Sequence, residues 1–195
     1  MATRVYFDEY RGDGLNLYAY CGNNPVMYVD PSGYKCKKTG VEDNVPIPQG
    51  STYVGKIYRN VNSAFDPLDM NEYTVNSNRR YTKPGTPGLY FSSGEKIVYA
   101  EVGNYDVTNY ANRTMYAYDV KIDNMLDVTN PNVRNNLDIN LSELLTDDYR
   151  VNLGNATTHQ VGDYALQNGY SGIIAPSARA DGEVNIIIFD PNIIK

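Results

Sequence analysis

RYTKPGTPGLYFSSGEKIVYAEV, residues 80–102, is the stretch from which the rest of the chain is read. It opens on an arginine and runs into a turn of Lys83, Pro84, Gly85, Thr86, Pro87 and Gly88. Pro fixes φ and Gly relieves steric limits, so such a turn is rigid enough to hold a loop in place. Residues 88–92 follow as a short strand candidate. Residues 93–102 read as a helix with Ser93 as its cap and Ile97, Ala100 and Glu101 on one side. Working outward, Arg59 ends a run in KIYRN upstream, and Ser177 follows Pro176 in IIAPSAR downstream.

Beyond Ser51 the pattern is dense. Residues 53–58 and 116–122 alternate well enough for strands. Residues 141–145, preceded by Asn140, mark a short helix. Residues 158–168 give the clearest helix, with Val161, Tyr164, Ala165 and Asn168 on one face and Gly169 as the residue that ends it. Two buried strands follow, at 172–175 and 184–189. Strands and short helices mix without a regular βαβ repeat, which argues for an α+β fold.

The first 34 residues differ in composition. Short Tyr-rich runs alternate there with turn signals (Gly12, Asp13, Gly14; Asn23, Asn24, Pro25; Asp30, Pro31, Ser32, Gly33), a pattern of small strands that bury no core alone. Residues 35–50, KCKKTGVEDNVPIPQG, are polar with two prolines and read as a linker. The expected organisation is therefore a tail at 1–34, a linker at 35–50 and a main domain at 51–195.

Bulk properties narrow the function. With 42% hydrophobic and 21% charged residues the chain is globular rather than disordered. Its net charge of −6, from 17 basic and 23 acidic residues, opposes a long nucleic-acid backbone but not a compact anion held by two or three arginines. Nineteen tyrosines without a tryptophan imply many half-buried rings with polar tips. Cys21 and Cys36 are too few for a disulfide framework or a zinc site and are expected to stay reduced. No apolar run has the ~20 residues of a membrane helix, and MATRVYFDEYRG lacks the apolar core of a signal peptide. No zinc, EF-hand, Walker or Rossmann motif is present, so no metal is expected.

GDGLNLYAYCGNNPVMYVDPSGY, residues 12–34, resembles the end of an RHS repeat core, with NLYAY, NNPV and DPSG as the matching elements. RHS proteins are large shells that carry variable toxins at the C-terminus. The resemblance would put Asp30 in the family's cleavage motif, but DPSG is also an ordinary type I turn, and on this fragment the turn is the preferred reading. Residues 53–191 resemble the RES domain through IYR (57–59), RYTKPGTPGLYFSS (80–93), AE (100–101), GDYALQNGYSGIIAPSAR (162–179) and VNIIIFDP (184–191). The resemblance implies an ADP-ribosyltransferase-like fold: a mixed or antiparallel split sheet flanked by short helices. It also implies NAD+ as substrate, destroyed by hydrolysis or phosphorolysis. One departure stands out. The family shows Gly-Gly before its second arginine and Trp after it; here Asn78 and Arg79 precede Arg80 and Tyr81 follows. Arg79 therefore competes for the role of Arg80.

The resemblance implies a role for each of these residues. Arg59 and Arg80 would grip the diphosphate, since a guanidinium offers a planar fork of donors and stays charged. Tyr90 would pack on nicotinamide or ribose, with Tyr81 beside it in the NAD+-binding set. Glu101 would stabilise the cationic sugar that forms as nicotinamide leaves. Ser177 would bind phosphate through its hydroxyl, with Arg179 as an auxiliary contact. Position alone reads Arg59 as a surface ion pair, Glu101 as a solvated helix end and Ser177 as a turn. His159 reads as structural or surface. Three functions follow: a toxin that cleaves NAD+ in the cytoplasm of a target cell, a mono-ADP-ribosyltransferase acting on a protein, and a binding module that has lost its chemistry. Retention of Arg59, Arg80, Tyr90, Glu101 and Ser177 speaks against the third. A toxin also implies an immunity protein in the producer.

Overall fold

The structure is a computed structural model and describes residues 28–29, 37–38, 47–95, 112–180 and 182–194. The chain divides into two compact units, residues 1–45 and 46–195. In the first, β1 (Tyr28–Val29) pairs antiparallel with β2 (Lys37–Lys38), Tyr28 opposite Lys38 and Val29 opposite Lys37. Pairing thus reaches into the stretch that the sequence reads as linker.

The second unit is built on a mixed sheet with a few short helices. Its strands are β3 (Ser51–Asn62), β4 (Leu89–Ser92), β5 (Arg113–Asp127), β6 (Gly172–Pro176) and β7 (Val184–Ile188). Its α-helices among the described residues are α1 (Glu72–Asn76), α2 (Pro131–Asn136), α3 (Leu141–Leu145) and α4 (Thr157–Gln167). The strands close in the order β3-β4-β7-β6-β5, antiparallel throughout except for β5 with β6. β3 and β5 run much further than the alternation at 53–58 and 116–122 indicated, because each satisfies the other's backbone from Ser51 opposite Met125 to Asn62 opposite Arg113. Closure between β3 and β4 rests on one registered pair, Tyr58 opposite Ser92. The sheet is therefore weakest at that seam.

Alternation along the strands feeds two cores. Ile57, Leu89, Phe91, Val120, Ile122, Met125, Ile174, Ile186 and Ile188 form one of them, with residues from all five strands. Ile173, Ala175 and Ile187, on the opposite face of β6 and β7, pack with Val133, Leu144, Val161 and Ala165 of the helices. Period two on the strands and near-four on α4 (Val161, Ala165) are the two spacings that bring apolar residues onto one face of each element. Asn168 caps the end of α4, and Gly169 takes a φ of 72° beyond it, a conformation that favours glycine. Among the described residues no helix is long and apolar enough to cross a membrane.

α4 also lies directly on the segment that carries the two adjacent arginines. A Cβ on Gly162 would stand 1.9 Å from the carbonyl oxygen of Tyr81. Gly162→Ala therefore forces α4 and residues 79–82 apart. The expected loss is about 1–3 kcal/mol, the usual range for overpacking, despite the helix propensity that alanine gains. A thermal melt checks it: at about 2–4 °C per kcal/mol the shift is readily seen.

Candidate functional site

The site grows from the β3–β4 seam. Arg59 comes one residue after Tyr58, the rung that joins the two strands. Its guanidinium carbon lies 5.5 Å from the centre of the Phe91 ring. Phe91 in turn meets Tyr118 of β5 edge to face at 6.1 Å. Arg59 is partly buried, and its Nη1 is out of solvent with no hydrogen-bond partner among the described residues. Burial, then the charge of Arg79, pull its pKa down to about 10. Arg59 and Arg79 thus repel each other, and among the described residues neither has a carboxylate partner, an arrangement that suits an anion.

Arg79 supplies the second charge. It follows α1 in a tight bridge in which its N–H donates to Thr82 O at 2.9 Å and its carbonyl accepts from Thr82 N–H at 3.2 Å. Its guanidinium carbon lies 5.5 Å over the Tyr90 ring, and its Nε is buried and unpartnered among the described residues. Next in sequence, Pro84 and Gly85 make the corner of the expected rigid turn. Thr86 N–H donates to Lys83 O at 3.0 Å, and Gly85 has a φ of 87°, as a type II turn requires. Lys83 is tied to Asp163 of α4 at 2.6 Å.

Arg80 points elsewhere. Its Nη2 donates to Asp147 at 2.6 Å, and its Nη1 donates to the carbonyls of Leu144, at 3.3 Å, and Thr146. The guanidinium also stacks on Tyr149, 5.1 Å from the ring centre. Three hydrogen bonds thus tie it to the last turn of α3 and the residues just beyond. Tyr81 is buried in the helix-side core at 1% exposure, its ring walled in by protein. The Tyr90 hydroxyl accepts from Tyr81 N–H at 2.8 Å and bonds the Thr82 hydroxyl at 3.1 Å, so it is engaged with the arginine-bearing segment. Burial pushes its pKa up to about 12.

Ser177 stands where β6 ends. Its N–H donates to Glu183 O at 3.2 Å, and its Oγ accepts from the N–H groups of Arg179 and Ala180, both at 3.2 Å. Both side-chain bonds are accepted ones, which leaves the hydroxyl proton to donate. Ser93, read from sequence as a helix cap, accepts from Val184 N–H at 2.9 Å and ties β4 to β7. Glu183, which sequence reasoning passed over, has a buried Oε2 without partner among the described residues, and its carboxylate lies against Gly94, where a Cβ would come within 2.5 Å. Glu101 lies outside the described residues, as do Cys21, Asp30 and Cys36. The structure thus lays Arg59 on Phe91 and Arg79 on Tyr90, near enough for the two charges to repel, gives Arg80 and Tyr81 internal partners or packing, and holds Ser177 in a turn. Among the described residues no group of three or more His, Cys, Asp or Glu is placed to hold a metal ion.

Residues 56–195 match the RES domain. The chain belongs to the RES domain family. This RES domain also shares its fold with a chain of the M. tuberculosis MbcT–MbcA toxin–antitoxin complex, at a TM-score of 0.57 and 19% identity over 73% of this chain and 78% of that one. No curated protein sequence matches the chain. Within the RES domain, Arg79 stands where the resemblance puts a glycine. Its guanidinium lies over the Tyr90 ring. The only signal for it in the sequence is the doubled arginine itself.

Proposed function

We propose that this RES domain binds NAD+ and breaks its nicotinamide–ribose bond, by hydrolysis or phosphorolysis, and that it acts as a toxin. The observation that carries the reading is the mutual repulsion of Arg59 and Arg79, each with a buried N–H that lacks a partner among the described residues. A diphosphate carries two negative charges and several acceptor oxygens, which answers both the repulsion and the unused donors. In this reading Arg59 and Arg79 hold the diphosphate. Tyr90 keeps Arg79 in place through its ring. Ser177 donates its hydroxyl proton to a phosphate or ribose oxygen, and Glu101 faces the sugar carbon. Arg80, which the resemblance alone would make a ligand, serves as a brace to Asp147.

The toxin reading draws on the fold shared with a chain of a toxin–antitoxin complex, and on the RHS-like residues 12–34 ahead of the domain. Delivery by an RHS shell would place the activity in the cytoplasm of a target cell. The producer would then need an immunity protein that covers the arginine seam.

Pure protein incubated with NAD+ alone tests the reaction. Nicotinamide release without any acceptor protein is expected, and comparison of phosphate-free with phosphate buffer separates water from phosphate as the attacking group. Release only on addition of an acceptor protein would make the chain a mono-ADP-ribosyltransferase instead. The arginines are tested separately. A charge-assisted hydrogen bond is worth about 1.5–3 kcal/mol, so Arg79→Met should raise the KM for NAD+ roughly 10- to 100-fold. Arg80→Met should leave KM within about twofold while lowering stability by about 1–3 kcal/mol. The reverse pattern would return the role to Arg80.

A further inference from the structure

We infer that His159, the single histidine of the chain, is a positioning residue for the anion site: it fixes the backbone of Arg79 and so aims that guanidinium. The inference rests on the reading of Arg79 as a diphosphate ligand. His159 sits in the first turn of α4 and is 1% exposed. Both ring nitrogens are committed. Nδ1 accepts from Gly154 N–H at 3.0 Å, so it carries no proton. The proton of the neutral ring is therefore on Nε2, which faces Arg79 O at 2.9 Å and donates to it. The ring is further held edge to face by Tyr149 at 6.2 Å.

Arg79 O thus receives two donors, Thr82 N–H and His159 Nε2–H. The same helix braces the segment twice more, through Gly162 against Tyr81 O and Asp163 on Lys83. From the other side the Tyr90 hydroxyl takes Tyr81 N–H. With its backbone fixed from α4 and its side chain laid on the Tyr90 ring, Arg79 loses little further freedom when an anion arrives. Preorganisation of this kind improves affinity by cutting the cost of ordering.

Two near-isosteres separate positioning from packing. In His159→Gln the side-chain amide reaches the place of Nε2 and can still donate to Arg79 O. In His159→Asn the side-chain oxygen reaches only the place of Nδ1 and keeps Gly154 alone. The expected result is a KM for NAD+ raised about tenfold in His159→Asn and within about twofold of the parent in His159→Gln, with kcat changed less than KM in both. In an Arg79→Met background the Asn substitution should have no further effect on KM, since the two act through one group. A measurement on the intact protein removes dependence on folding of the variants. The lone imidazole should show an Nε2–H tautomer by nitrogen NMR, with a resonance that shifts when ADP-ribose is added to the parent and stays put in Arg79→Met.

Equal KM values for the Asn and Gln variants, a persisting Asn effect in the Arg79→Met background, or an Nδ1–H tautomer would overturn the inference. If Arg59→Met and Arg79→Met both bind NAD+ like the parent, the anion-site reading itself fails and takes this inference with it. Weakened binding in both, with His159→Asn unchanged, sinks this inference alone.

Discussion

Arg59→Met is expected to abolish detectable NAD+ cleavage and at the same time to make the protein more stable. The two effects have one origin. Burial and the neighbouring Arg79 hold the Arg59 pKa down at about 10, a shift that corresponds to a cost on the order of 3 kcal/mol for keeping the side chain charged in the folded state. The sign follows from the direction. A cation with a depressed folded pKa weighs against folding at every pH below that value, and the penalty fades only as pH rises from about 10 toward the ordinary arginine range. Methionine keeps the apolar stem and removes the charge. After a deduction of about 0.5–1 kcal/mol for the contact with Phe91, a net gain of about 2 kcal/mol remains, or about 4–8 °C in a thermal melt. Activity goes the other way, because the cost of keeping Arg59 charged is recovered only when an anion arrives. A melt in the absence of NAD+ together with an assay of nicotinamide release reads both effects. A destabilised variant would mean that Arg59 is an ordinary structural arginine. The same depression predicts that the parent protein's affinity for NAD+ falls as pH climbs through about 10, where Arg59 gives up its proton. An affinity unchanged to pH 11 would contradict it.

Glu101→Gln is expected to slow nicotinamide release about a thousandfold with little change in KM. As the glycosidic bond breaks, positive charge builds on the ribose and nicotinamide leaves as a neutral molecule, so the chemistry asks for a nearby negative charge rather than a strong acid. A carboxylate about 4 Å from that carbon contributes roughly 4 kcal/mol at an effective dielectric near 20, which corresponds to about a thousandfold in rate. Glutamine preserves size and removes the charge, so it isolates this contribution. An interaction made only in the transition state lowers kcat and kcat/KM together. Full activity in the variant would remove Glu101 from the mechanism, and Glu183, whose buried Oε2 has no partner among the described residues, would become the next group to test.

The fold was legible where burial follows a period. The strands at 88–92, 172–175 and 184–189 and the helices at 141–145 and 158–168 were placed to within a residue or two, because one face of each is apolar and its caps or glycine breaks are local. The long ends of β3 and β5 were not, because polar residues such as Asn60, Asn62 and Arg113 are held there by pairing between backbones, which leaves no mark on side-chain pattern. Helix α2 was missed although its start is written plainly, with Asn130 accepting from Asn132 N–H and Pro131 at the first turn. Ring closure and the parallel β5–β6 pairing depend on contacts distant in sequence and have no local sign. In the candidate site, Arg59 could be singled out by resemblance. The choice between Arg79 and Arg80 could not, because it turns on Asp147 and the carbonyls of Leu144 and Thr146, more than sixty residues away.

The single rung between Tyr58 and Ser92 sets how this molecule trades access against rigidity. A ring fastened at one point parts there first, and the clasp adjoins the arginine that would meet incoming substrate. Molecules entering and leaving would then draw on the same loose fastening. A second rung engineered between Val61 and Leu89 would harden the protein and starve it of turnover.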